Sequence, residues 1–314
     1  MAYDMVPMRD GYGKALLKLA ETNDKVMVLD ADVAKSTRTN WIKDKFPEKF
    51  LDMGISEQDM VGTAAGFALA GMIPFATTYC VFLAGRAWDQ IRTTVCYNNL
   101  GVKLAGAHAG ISVGPDGATH QSLEDVALMR VLPNMMVVVP CDAVETEKAT
   151  LAIAAAEGPC FIRFGREAVP VITDETTPFT LGVANVLREG DDAVVFANGA
   201  MVHEAQEAAR ELAAEGVEIS VVNMHTVKPL DGDCICRMVE RTGAVVTAEE
   251  HQITGGLGGA VAEYMSLHCP APLEMVAVED TFGESGKPDE LMKKYGLTAE
   301  HIVRAVRKVI SRKK

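Results

Sequence analysis

The stretch "DMGISEQDMVGTAAGFALAGM", residues 52–72, places an acidic side chain, Glu57, at the head of a run rich in Ala, Gly and Leu. Such a run packs closely and keeps water away, and a sheltered carboxyl group can make a strong hydrogen bond to a ligand. Ser56 stands where a helix cap would, and an acid in the first turn suits the helix dipole. A second polar concentration, "AHAGISVGPDGATHQSLED", carries His108, Asp116, His120 and Gln121 among Gly110, Gly114 and Gly117. Those glycines let the backbone turn tightly and approach a ligand. Either histidine alone reads as a satisfied residue of a surface turn; taken with Glu57, the group reads as a site.

These residues need a frame. Short apolar runs ("KVMVLD", "IPFATTY", "VKLAGAH", "MMVVVP", "CFIRFG") alternate with helical stretches such as "GYGKALLKLAE", "EQDMVGTAAGFALAG" and "FLAGRAWDQIRTTV". That order predicts an α/β fold, a mainly parallel sheet covered by helices on both faces. In such sheets functional loops gather at the carboxyl ends of the strands, which is where the His108–His120 loop falls. From Arg166 to Gly190 the alternation lapses into Pro, Thr and Asp, and it then resumes through "AVVFANG", "EISVVNM", "AVVTAEE" and "LEMVAVED" to a last helix. Two domains are expected, residues 1–170 and 185–314, joined by a linker at 171–184. The glycines of "TGGLGGAVAEYM" precede a helix and read as a tight turn with a domain contact rather than a phosphate cradle.

The 314 residues are 48% hydrophobic and 23% charged, with a net charge of −13. Basic residues are scattered except for Arg312, Lys313 and Lys314, so a nucleic-acid or anionic-membrane partner is not expected. No apolar run is long enough to span a bilayer and the first residues lack a signal-peptide layout, so a cytoplasmic location is expected. The seven cysteines are irregularly spaced and predict reduced thiols, with Cys234 and Cys236 buried and no metal ligand set.

"GISEQDM" followed by "GPDGATHQSLEDVALMRVLPNMMVVVP" resembles the transketolase family. "LDADVAKST", "RFGREAVP", "VVNMHTVKPLD" and "EEHQITGGLGGAVAE" extend the likeness, in order and spacing, over nearly the whole chain. The resemblance implies a pyrimidine-binding domain followed by a transketolase C-terminal domain. It also implies the cofactor thiamine diphosphate, with Glu57 against N1′ of the aminopyrimidine, Tyr79 and Phe82 as the aromatic wall, and Asp32 near the thiazolium side. Asp116 and His120 are assigned to the donor's hydroxyls and developing alkoxide. Arg9, Ser36, His108 and Arg166 fall where the family grips the sugar phosphate.

Two departures stand out: Pro115 replaces the usual Glu, and Gly85 or Arg86 stands where many members place a third aromatic. The family's diphosphate-binding pattern, Gly-Asp-Gly followed by a distant Asn, is not matched, since Gly190-Asp191 has no third glycine. The resemblance therefore implies the second half of a split transketolase, with Mg²⁺ and diphosphate held by an N-terminal-type partner in an α2β2 assembly. It would transfer a two-carbon ketol unit from a ketose phosphate to an aldose. The alternatives are a β subunit of a 2-oxoacid dehydrogenase first component, a synthase joining pyruvate to glyceraldehyde phosphate, and a non-catalytic assembly subunit.

Overall fold

The computed structural model describes residues 3–313; Met1, Ala2 and Lys314, which end the two expected domains and the basic tail, lie outside the described residues. One sheet has seven strands, ordered Thr226–Lys228, Met136–Val138, Cys160–Arg163, Lys103–Ala107, Ile73–Tyr79, Val26–Asp30 and Phe50–Asp52. All its neighbours run parallel except at the Thr226–Lys228 edge. Successive residues along a strand face opposite sides. Leu29, Ala76, Leu104 and Phe161 pack beneath the helix Glu57–Leu69, whereas Val28, Phe75, Ala105 and Ile162 pack beneath Met8–Thr22 and Ala143–Ala155. Both faces are dry, which is why these strands read as apolar runs rather than alternating ones.

A second, five-stranded sheet is ordered Leu273–Val278, Val245–Gln252, Ala193–Ala197, Ile219–Asn223 and Asn185–Arg188, the last antiparallel. The helix Ala299–Ile310 buries Ile302, Val303, Val306 and Val309, one stripe at helical spacing. A separate antiparallel ladder pairs Met5–Pro7 with Ala168–Pro170 and so brings the start of the chain beside Arg166.

Three local expectations need correction. The helix expected over 82–95 is broken into Cys80–Arg86, Trp88–Gln90 and a π-turn at Ile91–Cys96. Gly85 weakens it, and Thr93 bonds back to the Asp89 carbonyl at 2.7 Å, competing with the regular ladder. Thr226–Lys228 comes from the second half of the sequence yet completes the first sheet. Finally, Cys236 and Cys269 form a disulfide with Cα atoms 5.6 Å apart, contrary to the expectation of reduced thiols throughout. Folding sets the helix Gly232–Thr242 beside the end of Leu257–His268, a proximity that spacing along the chain does not reveal. The other five thiols, Cys234 among them, are free and buried.

Candidate active site

Glu57 opens the helix Glu57–Leu69 and is only 1% exposed. Ser56 holds the N-cap position, but its side chain makes no capping bond, so the expected cap is absent. The carboxylate instead meets Arg86, whose Nη1 lies 2.7 Å from Glu57 Oε2 while the guanidinium covers the Phe82 ring at 4.6 Å. Phe82, in the helix Cys80–Arg86, and Tyr79, which ends the strand Ile73–Tyr79 before it, have ring centroids 6.4 Å apart. Both face His120, at 5.2 Å and 6.2 Å, and Tyr79 also meets His108 at 4.5 Å.

Tyr79 donates from its hydroxyl to Ser36 Oγ at 3.2 Å, and Arg9 Nη1 donates to the Ser36 carbonyl at 3.1 Å. Asp32, in the left-handed region at φ 62°, lines a cleft of about 410 Å³ together with Ser36 and Tyr79. This loop hangs on Asp30, which accepts from Val33 N at 2.7 Å, Thr39 Oγ1 at 2.8 Å and Thr37 Oγ1 at 3.0 Å. Burial pushes the Asp30 carboxyl up to about 6 even so.

On the opposite side, Arg166 Nη1 lies 3.3 Å from Asp116 Oδ2 and its Nε lies 3.6 Å from Glu167. His108 is buried among these cations. Its pKa falls to about 3, first through burial and then through the Arg9 and Arg166 guanidiniums and His120. Burial, followed by Arg38, also lowers Arg9 below its ordinary value. Nδ1 of His108 and Nε of Arg9 are buried without a hydrogen-bond partner. Two guanidiniums, a neutral imidazole and unspent donors in one place suit a tetrahedral anion.

The second unit braces this loop. Glu250 accepts from Ser112 N at 2.6 Å, and Gln121 Nε2 donates to the Glu284 carbonyl at 2.9 Å. Buried Arg163 donates to Asp125 Oδ2 at 2.7 Å and to the Glu250 carbonyl at 2.6 Å. Gly110 must stay a glycine: its φ is +88° and a Cβ would meet Glu250 Oε1 at 2.2 Å. The glycines before Leu257–His268 make the expected tight turn and domain contact, Gly255 at φ +83° lying against Ala127 and accepting from Arg130 Nη1 at 3.2 Å, while Glu249 accepts from Leu257 N and Gly258 N, both at 2.7 Å. A carboxylate on those amides leaves no room for a phosphate.

Residues 4–171 match the transketolase pyrimidine-binding domain, and residues 182–302 match the transketolase C-terminal domain. The chain belongs to the transketolase family. It is 43% identical over 306 residues to the 6-deoxy-6-sulfo-D-fructose transketolase subunit SqwH of Clostridium sp. (strain MSTE9), covering 98% of this chain and 95% of that one. Identity to a subunit of the apulose-4-phosphate transketolase of Phocaeicola vulgatus is 34%, over 96% of this chain and 97% of that one. A solved split-gene transketolase, an inactive β4 tetramer, superposes with a TM-score of 0.93 at 48% identity, covering 98% of this chain and 100% of that one.

The transketolase family depends on thiamine diphosphate, and the residues present fit that cofactor's pyrimidine end. A buried carboxyl at a helix start, linked through Arg86 to an aromatic pair, offers a hydrogen bond and a stacking wall for one planar ring. Among the described residues no group of three or more His, Cys, Asp or Glu side chains is placed to hold a metal ion. The ten residues singled out from sequence form one continuous string: Glu57 reaches Phe82 through Arg86, and Asp116 reaches the rest through Arg166 beside His108. Arg86 as the partner of Glu57, and Glu250, Gln121 and Asp30 as braces, escaped the sequence reading. Only the missing third aromatic pointed toward Arg86.

Proposed function

We propose that this chain is the pyrimidine-binding subunit of a two-chain transketolase that moves a two-carbon ketol unit from an anionic ketose to an aldose. The supporting observation is the buried Glu57 carboxylate joined through Arg86 to Phe82, whose neighbours Tyr79 and His120 lead on to His108 and the Arg9 and Arg166 guanidiniums. When bound, thiamine diphosphate supplies the nucleophilic carbon. Glu57 holds a proton at the ring's N1′, Tyr79 and Phe82 fix the ring plane, and Asp32 borders the cleft beside it. His120 exchanges a proton with the substrate oxygen at the breaking bond, and Asp116 orients the neighbouring hydroxyls. Arg9, Arg166, Ser36 and His108 grip the distal anion, which is a phosphate or a sulfonate; the SqwH relative is named for a sulfo-sugar.

The diphosphate and Mg²⁺ belong, on this reading, to an N-terminal-type partner in an α2β2 complex working in the cytoplasm, because the chain carries no Gly-Asp-Gly…Asn pattern. Its domains divide at 1–170 and 185–314, with 171–184 as the linker. The β4 relative is described as inactive, which suits a subunit that needs a second chain. The test is reconstitution with a Gly-Asp-Gly-bearing subunit and a panel of anionic ketoses. Ketol transfer should require both chains, and Glu57→Ala should abolish exchange of the bound cofactor's C2 proton. Transfer by this chain alone, or exchange unchanged in Glu57→Ala, refutes the assignment.

A further inference from the structure

Arg86 is the only basic side chain paired with Glu57 among the described residues, and its geometry is specific. Nη1 lies 2.7 Å from Glu57 Oε2, and the guanidinium plane carbon sits 4.6 Å from the centre of the Phe82 ring. Carboxylate and aromatic face are the two surfaces that a stacked, hydrogen-bonded pyrimidine uses on the reading above. A planar guanidinium offers the same pair of contacts, one donor edge and one flat face. Arg86 is 47% exposed while Glu57 is 2% exposed at the side chain, so the cation approaches from the solvent side and covers a buried carboxylate. The backbone supports such movement. Arg86 closes the short helix Cys80–Arg86, just before the break at Ala87 and the π-turn that follows. Its side chain is already half exposed, whereas Leu83 and Ala84 of the same helix are buried.

We propose that Arg86 is a positioning residue that takes the pyrimidine's seat while the subunit is unloaded. It keeps the buried Glu57 carboxylate paired and aimed at the cleft, and it swings out when cofactor and partner arrive. This inference rests on the proposed seat of the cofactor at Glu57. It gives the isolated subunit a way to bury a carboxylate without leaving it unpaired, a situation that is otherwise strongly destabilising. It also makes cofactor binding compete with an internal ion pair. The apparent affinity is then lowered by the fraction of subunits in which Arg86 occupies the seat.

The experiment has two arms. In the isolated full chain, thermal melts of Arg86→Gln, Glu57→Gln and the double variant form a cycle. The single Arg86→Gln change should lower the melting temperature, and the added Glu57→Gln should restore most of the loss, because the orphaned charge is gone. In the reconstituted complex, calorimetry should show that Arg86→Gln binds thiamine diphosphate about five-fold tighter, as expected when an ion pair of this exposure stops competing. Arg86→Lys keeps a charge near Glu57 but lacks the flat face on Phe82, so its cofactor affinity should fall between those of the parent and Arg86→Gln. Raising the salt concentration should speed cofactor association more in the parent than in Arg86→Gln, since a half-exposed pair is screened.

Unchanged or weaker cofactor binding in Arg86→Gln, or a cycle without coupling, overturns the placeholder role. Should Arg86→Gln fail to fold, Arg86→Lys and the parent's salt response still decide, and an association rate blind to salt then counts against it. Glu57→Gln separates this outcome from failure of the parent reading. If Glu57→Gln leaves cofactor affinity and C2 exchange intact, the seat itself is misassigned; if it impairs them while Arg86→Gln binds as before, only the role of Arg86 falls.

Discussion

His108 offers a direct measure of how hostile the proposed anion-binding corner is to positive charge, and His108→Asn is the perturbation that reads it. His108 sits at φ 56°, a left-handed conformation that Asn adopts with little strain, so the exchange spares the backbone. The folded chain holds the imidazole at a pKa of about 3, against an ordinary value of 6.5. Between those two values the unfolded chain carries a proton at this position and the folded chain does not. The stability contributed here is therefore complete above pH 6.5 and drains away as the pH falls toward 3. Each pH unit is worth about 1.4 kcal/mol, so acidification from 6.5 to 5 should remove about 2 kcal/mol through this group alone. Urea midpoints of the full chain at pH 7.5, 6 and 5, at one protein concentration, give the comparison. His225, lowered to about 4 chiefly by burial, and the carboxylates titrate in parent and variant alike and cancel in the difference. At pH 7.5 the variant also loses the ring contact with Tyr79, so only the change with pH counts. Parallel pH curves for the two proteins would show that His108 is not held neutral by its surroundings, and the argument for an uncharged donor beside two arginines would go with it.

Two further expectations concern other parts of the molecule. Arg166→Ala in the reconstituted enzyme should raise KM for anionic ketoses by about 10- to 100-fold, the worth of one charge-assisted contact, and change KM for the uncharged analogue little. Equal effects on both substrates would remove Arg166 from anion recognition. The Cys236–Cys269 pair closes a separation of 33 residues, and such a crosslink should add about 3–4 kcal/mol to unfolding. Identical urea midpoints with and without reductant would show that the two thiols are unpaired in solution.

The first sheet was readable because both of its faces are covered: strands such as "IPFATTY" carry apolar residues on both sides and stand out as runs. The candidate site was legible where unusual residues stand together in sequence, as with a carboxyl in an Ala/Gly helix or a glycine-rich loop with two histidines. What escaped depends on contacts between distant segments. Thr226–Lys228 is three residues long and announces nothing in sequence, yet it finishes a sheet begun two hundred residues earlier. Cys236 and Cys269 meet only because two helices dock. Ser56 has the right type and position for a cap, but the cap's ψ of 69° accompanies a hydroxyl that makes no capping bond. Arg86 read as a gap in an aromatic pattern, because sequence shows that a ring is missing and not what fills its place.

The electrostatics of the corner explain why its charges are arranged in exchangeable pairs. The chain carries a net charge of −13, which repels an anionic sugar at long range, so attraction must be local. On the proposed reading Arg9 and Arg166 provide it, but the two neighbouring guanidiniums also repel each other, and the chain relieves this by pairing Arg166 with Asp116 and Glu167. On the proposed reading, an arriving phosphate or sulfonate takes over Arg166 and frees Asp116 to meet the sugar's hydroxyls. Glu57 and Arg86 form a second such pair, and on the placeholder proposal the carboxylate stays parked on the cation until a ligand replaces it. On these proposals the anion releases the acid that meets the sugar's hydroxyls and the cofactor releases the acid that meets its own ring, so a sugar without its anion, or a chain without its partner, leaves these carboxylates occupied and the chemistry idle.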